Sequence, residues 1–127
     1  MDQETTDKEL PPRVYAKAVD LASNSTMRFQ LGAVVFKKNK ILGFGVNERR
    51  THPEFGSAPY YCLHAECNSI RKALMRGNSV AGADIFVYRR NNNCSKPCDS
   101  CKDKFISYGI RRVYYIDREG NIRRMYP

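Results

Sequence analysis

Apolar residues recur at three- and four-residue spacing through "RVYAKAVDLASNS", where Val14, Ala18, Leu21 and Ala22 form one stripe, and that period predicts a helix. Pro11 and Pro12 suit its opening, because the first turn of a helix has N–H groups that find no intrahelical acceptor. The period then changes. In "FQLGAVVFKKNKILGFGVNE" two nearly apolar runs flank the polar "KKNK", which predicts a β-hairpin whose Gly43 and Gly45 let another backbone come close. "RRTHPEFGSAPYY" holds two prolines and a glycine and is expected to be a loop. A second helix is predicted for "HAECNSIRKALMRG", with Leu63, Cys67, Ile70 and Leu74 on one side and Gly77 at its end. "ADIFVYRR" follows as a strand, "NNNCSKP" as a polar loop, and "CDSCKDKFISYG" as a third helix begun by Pro97 and closed by Gly109. The last two apolar runs, "IRRVYYI" and "IRRMY", are separated by "DREGN", too short for a crossover helix, so these strands should run antiparallel. The order α-β-β-α-β-α-β-β implies an α/β fold, a mixed sheet covered by helices.

With 127 residues, 42% of them hydrophobic, the chain fits one domain, 11–127, after a flexible lead-in over residues 1–10. No run has the length of a membrane span, and "MDQETTDKELPP" is acidic where a secretory signal would be basic and then apolar. A soluble, cytoplasmic protein is expected. Five cysteines, an odd number in a chain able to bury its own core, argue against a disulfide framework and for thiols that ligate metal or pack inside. The formal charge of +9 attracts anionic partners of several kinds, from nucleotides to polynucleotides.

The candidate chemistry lies in "YYCLHAECNSI" and "KPCDSC". Cys98 and Cys101, three residues apart at the start of a helix, project to one side and can close on one ion. The positive end of the helix dipole favours their thiolates. His64, at another helix entrance, can supply an imidazole nitrogen. Three protein ligands around Zn²⁺ leave a fourth position open, the mark of a catalytic site. Glu66, two residues past His64, would then act as the proton carrier rather than a ligand. A duller reading remains: His64, the "CxxC" pair and Cys94 could form a structural site. Cys67 is expected in the core, with Cys62 flanking the helix entrance, and His52 as an ordering residue of its loop.

Together, "HAE" and "PCDSC" resemble the zinc nucleoside and nucleotide deaminase superfamily, with its H-x-E and P-C-x-x-C motifs. "STMRFQLGAVVF", "GFGVNERRTHPEF", "HAECNSIRKA" and "KPCDSCKDKFISYGIRRVYYI" are similar to the cytidine and deoxycytidylate deaminases, above all their short viral and phage-like members. The resemblance implies a cytidine deaminase-like three-layer sandwich on a five-stranded sheet, one catalytic zinc, and a homo-oligomer. It implies that Glu66 is catalytic and that His64, Cys98 and Cys101 bind the metal. It also implies that Asn47 and the backbone at Ala65 meet a small nucleotide or nucleoside substrate. Phe55, Tyr60 and Tyr61 could wall the base, and Arg49 or Arg50 could meet a phosphate. The tight "DREGN" turn is like the cytidine deaminases, whose glutamate motif begins with cysteine instead, so nucleoside and monophosphate both stay open. Two alternatives are a deaminase acting on single-stranded DNA or RNA, which positive charge and tyrosines would suit, and a non-catalytic zinc-stabilised module that binds nucleic acid.

Overall fold

The structure, a computed structural model, describes residues 10–25, 30–47, 64–90, 95–97 and 101–127, and the backbone of residues 3–4, 56–57, 62–63 and 99–100. In chain order the elements are β1 (Gln3–Glu4), α1 (Pro12–Ser23), β2 (Leu31–Lys37), β3 (Lys40–Val46), β4 (Gly56–Ser57), β5 (Cys62–Leu63), α2 (Ala65–Met75), β6 (Asp84–Arg89), α3 (Asp99–Tyr108), β7 (Arg112–Ile116) and β8 (Ile122–Met125). The sheet runs β1-β8-β7-β6-β2-β3, and β4 pairs with β5 apart from it. Five of its strands are those expected. The sixth, at one edge, comes from the segment expected to be a loose lead-in: Gln3 and Glu4 pair with Arg124 and Arg123, and Leu10 is buried. β6 and β7 are parallel with α3 between them in the chain, whereas β2–β3, β2–β6 and β7–β8 are antiparallel. Among the described residues, no helix is long and apolar enough to cross a membrane.

Because successive side chains of a strand point to opposite faces, a strand buried on both faces must be apolar through its buried middle, and β2 from Gly32 to Phe36, β6 from Ile85 to Val87 and β7 from Val113 to Ile116 are. Val34, Phe36, Phe86, Tyr114 and Ile116 pack with Val14 and Ala18 of α1. Ala33, Val35, Ile85, Val87, Val113 and Tyr115 pack on the other face with Ala65, Cys67 and Ile70 of α2 and Cys101 and Phe105 of α3. The result is three layers: α1, the sheet, then α2 beside α3.

Two glycines set the position of α2. A Cβ on Gly43 would stand 2.5 Å from the Ala73 nitrogen, and one on Gly45 would stand 2.9 Å from the Ser69 nitrogen. The helix therefore lies with its backbone against β3. Its buried side runs through Cys67, Ser69, Ile70 and Ala73, and this corrects the expectation for Leu74, which is 37% exposed. Contact with the glycine strand centres the helix on Ala73, and the next residue is turned about 100° away. Gly43→Ala should destabilise the fold by about 1–3 kcal/mol, because the obstruction is main chain and cannot swing aside. A urea midpoint that falls at constant slope would register it.

Polar groups hold the two ends of the parallel pair. At the amino end of β6, Asp84 is 3% exposed and accepts from Nε and an amino group of both Arg111 and Arg112, each contact at 3.3 Å. Burial works against the Arg112 charge, but the hydrogen bond and the negative charge of Asp84 outweigh it and raise its pKa above the ordinary value. At the carboxyl end, the buried Ser95 hydroxyl donates to the Val87 carbonyl at 2.8 Å and accepts from the Ile116 N–H at 2.7 Å. It thereby fastens the chain that leads into α3. Asp117 closes the β7–β8 turn by accepting from the N–H groups of Glu119 and Asn121 and from Arg123 Nε at 2.7 Å. The Arg123 hydrogen bond holds its carboxyl below the usual range.

Candidate metal and catalytic site

Two helices begin at the same place on one face of the sheet. His64 is the N-cap of α2, with extended backbone angles of φ −67° and ψ 149°, so its side chain is carried at the mouth of the helix rather than along its flank. Ala65 and Glu66 form the first turn, both buried. Cys101, 0% exposed, lies in the first turn of α3. The His64 Nδ1 atom stands 3.2 Å from Cys101 Sγ, and these two atoms and a Glu66 carboxylate oxygen all lie within 4.8 Å of one another. Imidazole nitrogen, thiolate sulfur and carboxylate oxygen are the donor types zinc accepts, and the spread fits a single ion. Cys98 lies outside the described residues, as do Arg49, Arg50, His52, Phe55, Tyr60, Tyr61, Cys94 and the side chain of Cys62.

Cys67 behaves as expected of a core residue: it is buried in the cluster under α2, and its sulfur is 3.7 Å from that of Cys101. It is not part of the three-residue donor group. Asn47 is drawn into the fold. Its Oδ1 accepts from the Ser25 hydroxyl at 2.7 Å and from the Leu31 N–H at 3.0 Å, which ties the end of β3 to the start of β2 and to the end of α1.

Sequence reading missed Asn68. It is fully buried, donates from Nδ2 to the Val46 carbonyl at 2.9 Å, and accepts from Arg71 at 3.0 Å. By pinning the first turns of α2 to the end of β3, it fixes where His64 and Glu66 sit. The sequence offered no such signal: with Arg71 and Lys72 three and four residues on, Asn68 has the neighbours of a solvent-facing position. Ser95 was missed in the same way; a serine in a polar loop carries no mark of burial.

A mixed sheet with a nitrogen, sulfur and carboxylate cluster at two helix mouths defines a class, that of three-layer sandwiches with a candidate metal site. Residues 8–117 match the cytidine and deoxycytidylate deaminase zinc-binding region. The chain belongs to that family, and its cofactor is zinc. The riboflavin biosynthesis protein RibD of Bacillus amyloliquefaciens is 30% identical over 108 residues, 82% of this chain. The chain spans only 26% of that protein's length. The dCMP deaminase of cyanophage S-TIM5 superposes with a TM-score of 0.67 at 26% identity, covering 88% of this chain and 86% of the phage protein. The phage enzyme is also known in complex with dCMP and dUMP, a structure that matches at 25% identity with a TM-score of 0.64, over 86% of this chain and 82% of that one. Cytidine deaminase from Burkholderia pseudomallei shares the fold, with a TM-score of 0.71 at 21% identity over 96% of this chain and 93% of its own.

Proposed function

We propose that this chain catalyses hydrolytic deamination of a cytosine nucleotide or nucleoside, replacing the 4-amino group by a carbonyl and releasing ammonia. The observation that carries this reading is the Glu66 carboxylate set beside His64 Nδ1 and Cys101 Sγ in a chain of the cytidine and deoxycytidylate deaminase family. His64, Cys98 and Cys101 hold the zinc. When bound, it supplies Lewis-acid chemistry that brings the pKa of a water toward neutrality. Glu66 takes a proton from the attacking water and delivers it to ring N3, then takes the remaining proton from the new C4 hydroxyl and passes it to the amino group, so that the C4–N bond breaks as the carbonyl forms. The water oxygen stays on C4 and the nitrogen leaves as ammonia. A carboxylate almost wholly removed from solvent, at 4% exposure, keeps that proton from exchanging with bulk water. Ala65, the first residue of α2, offers its backbone to the pyrimidine edge, since first-turn N–H groups have no partner within the helix. Asn47 donates from Nδ2 to sugar or base, its Oδ1 being engaged by Ser25 and Leu31. The reading carries with it a homo-oligomer and an intracellular setting, where free nucleotides occur.

The test is ammonia release from cytidine, deoxycytidine, their 5'-monophosphates, adenosine and a cytosine-rich single strand. Turnover of a free cytosine nucleotide or nucleoside is the expected result. Turnover confined to the single strand would replace this reading with the polynucleotide one, and none on any substrate by zinc-loaded protein would remove it.

A further inference from the structure

Cys67 takes no part in the proposed reaction, yet its sulfur lies beside a zinc donor. It is 3.7 Å from Cys101 Sγ, and Cys101 Sγ stands 3.2 Å from His64 Nδ1 within the donor group. Neither cysteine is in a disulfide, and both are buried. Each is the third residue of its helix, Cys67 in α2 and Cys101 in α3. Their sulfurs therefore meet where the two helix mouths converge, although 34 positions separate them in the chain. A disulfide holds its sulfurs about 2.05 Å apart, so the pair has to close by about 1.6 Å, a movement on the scale of a side-chain rotation. Zinc on Cys101 engages the electron pair that an oxidant would need, which protects the sulfur while the metal is in place. Once zinc leaves, that sulfur faces the position the ion held, and a small oxidant can reach it there.

We infer that Cys67 and Cys101 form an oxidation site: in zinc-free protein a hydroperoxide converts the pair to a disulfide, which denies the metal one of its ligands until a thiol reduces it. The Cys101 sulfur attacks the terminal oxygen of the hydroperoxide. An S–O bond forms, the O–O bond breaks, and an alcohol leaves, or water where the oxidant is hydrogen peroxide. The Cys67 sulfur then attacks the Cys101 sulfenic acid; the S–S bond forms, the S–O bond breaks, and hydroxide departs with the Cys67 proton as water. Two thiols give up two electrons and two protons, and the peroxide takes them up. The bridged sulfur has no thiolate charge with which to hold zinc. A neighbouring thiol also stops the sulfenic acid from going on to sulfinic and sulfonic acids, which thiols do not reverse, whereas exchange with a thiol restores both cysteines of a disulfide. The inference rests on the proposed ligation of zinc by Cys101, but the bridge forms without turnover.

The test treats chelator-stripped wild-type protein with hydrogen peroxide, maps its disulfides by mass spectrometry of the peptides, and then titrates zinc, with binding followed by calorimetry. The expected result is a bridge between Cys67 and Cys101, a loss of zinc uptake in proportion to the bridged fraction, and recovery of uptake after dithiothreitol. Zinc-loaded protein given the same dose should form no bridge. Cys98→Ala protein, which lacks the other thiol near Cys101 in the sequence, should form the bridge as readily as the wild type. Wild-type protein whose Cys101 stays reduced, or is joined to Cys98 instead, would overturn the inference without reference to any variant. So would a bridged protein that takes up zinc as before. If the bridge forms and blocks zinc but no cytosine compound is deaminated by the loaded protein, the proposed reaction fails and the oxidation site stands. Deamination by a protein that forms no such bridge gives the reverse.

Discussion

Glu66→Ala protein should hold as much zinc as the wild type and release ammonia about 10³- to 10⁴-fold more slowly, the loss expected when a positioned proton carrier is removed. The Glu66 oxygen lies close enough to His64 Nδ1 and Cys101 Sγ to be counted with them as a donor, so the zinc measurement separates two roles. A ligand carboxylate would take zinc with it when deleted; a proton carrier would not. Its place on the helix favours the second role. Glu66 lies in the first turn behind the His64 cap, and its own carbonyl is tied by the Ser69 hydroxyl at 2.6 Å, which holds the turn still while the carboxylate meets the reacting water. Glu66→Gln keeps the volume and a hydrogen-bonding head but cannot take up a proton at pH 7. It should fold as the wild type does and be as slow as the alanine variant. Near-parental ammonia release by either protein would remove Glu66 from the mechanism.

The strands of the core were legible because burial on both faces leaves the middles of β2, β6 and β7 apolar, with β-branched and aromatic residues dominating. Helix limits were legible where backbone chemistry marks them. Pro12 opens α1, and Gly109, at a positive φ of 77°, follows the end of α3. Facing was harder to read than existence. Leu74 looked like a core position because it completes an apolar stripe with Ile70, yet α2 is seated by Gly43 and Gly45 against Ala73 and Ser69, and no periodicity within the helix can announce a contact made by another strand. Gln3 and Glu4 gave no strand signal at all. Their pairing is made by β8 through backbone bonds, to which side-chain pattern is blind. At the site, His64, Glu66 and Cys101 could be read from motif spacing because their chemistry requires those residue types. Asn68 and Ser95 position the same site through main-chain carbonyls and an N–H, and many polar residues could occupy such places, so residue type alone gave no notice of them.

Cys98→Ala protein should lose its zinc on dialysis and fall to background turnover, whereas Cys67→Ala should keep both metal and activity. The contrast is informative because, among the described residues, Cys67 is a thiol beside Cys101, at 3.7 Å between sulfurs. That separation is about what two thiolates on one tetrahedral zinc would show, given zinc–sulfur bonds of about 2.3 Å. The donor group decides against Cys67: it stands outside the group that brings His64, Glu66 and Cys101 together, so a bond to it would pull the ion away from Glu66. Cys98 directly precedes α3 and is three residues from Cys101, the spacing at which two cysteines close on one ion. Zinc that binds only the folded chain adds about 4 kcal/mol of stability when its free concentration is a thousand times Kd. Chelation should therefore lower the melting temperature of wild type and Cys67→Ala alike and leave Cys98→Ala unchanged. If Cys67→Ala were instead the variant that lost zinc and became indifferent to chelator, the metal would sit on the core side of Cys101, out of reach of the water that Glu66 has to deprotonate.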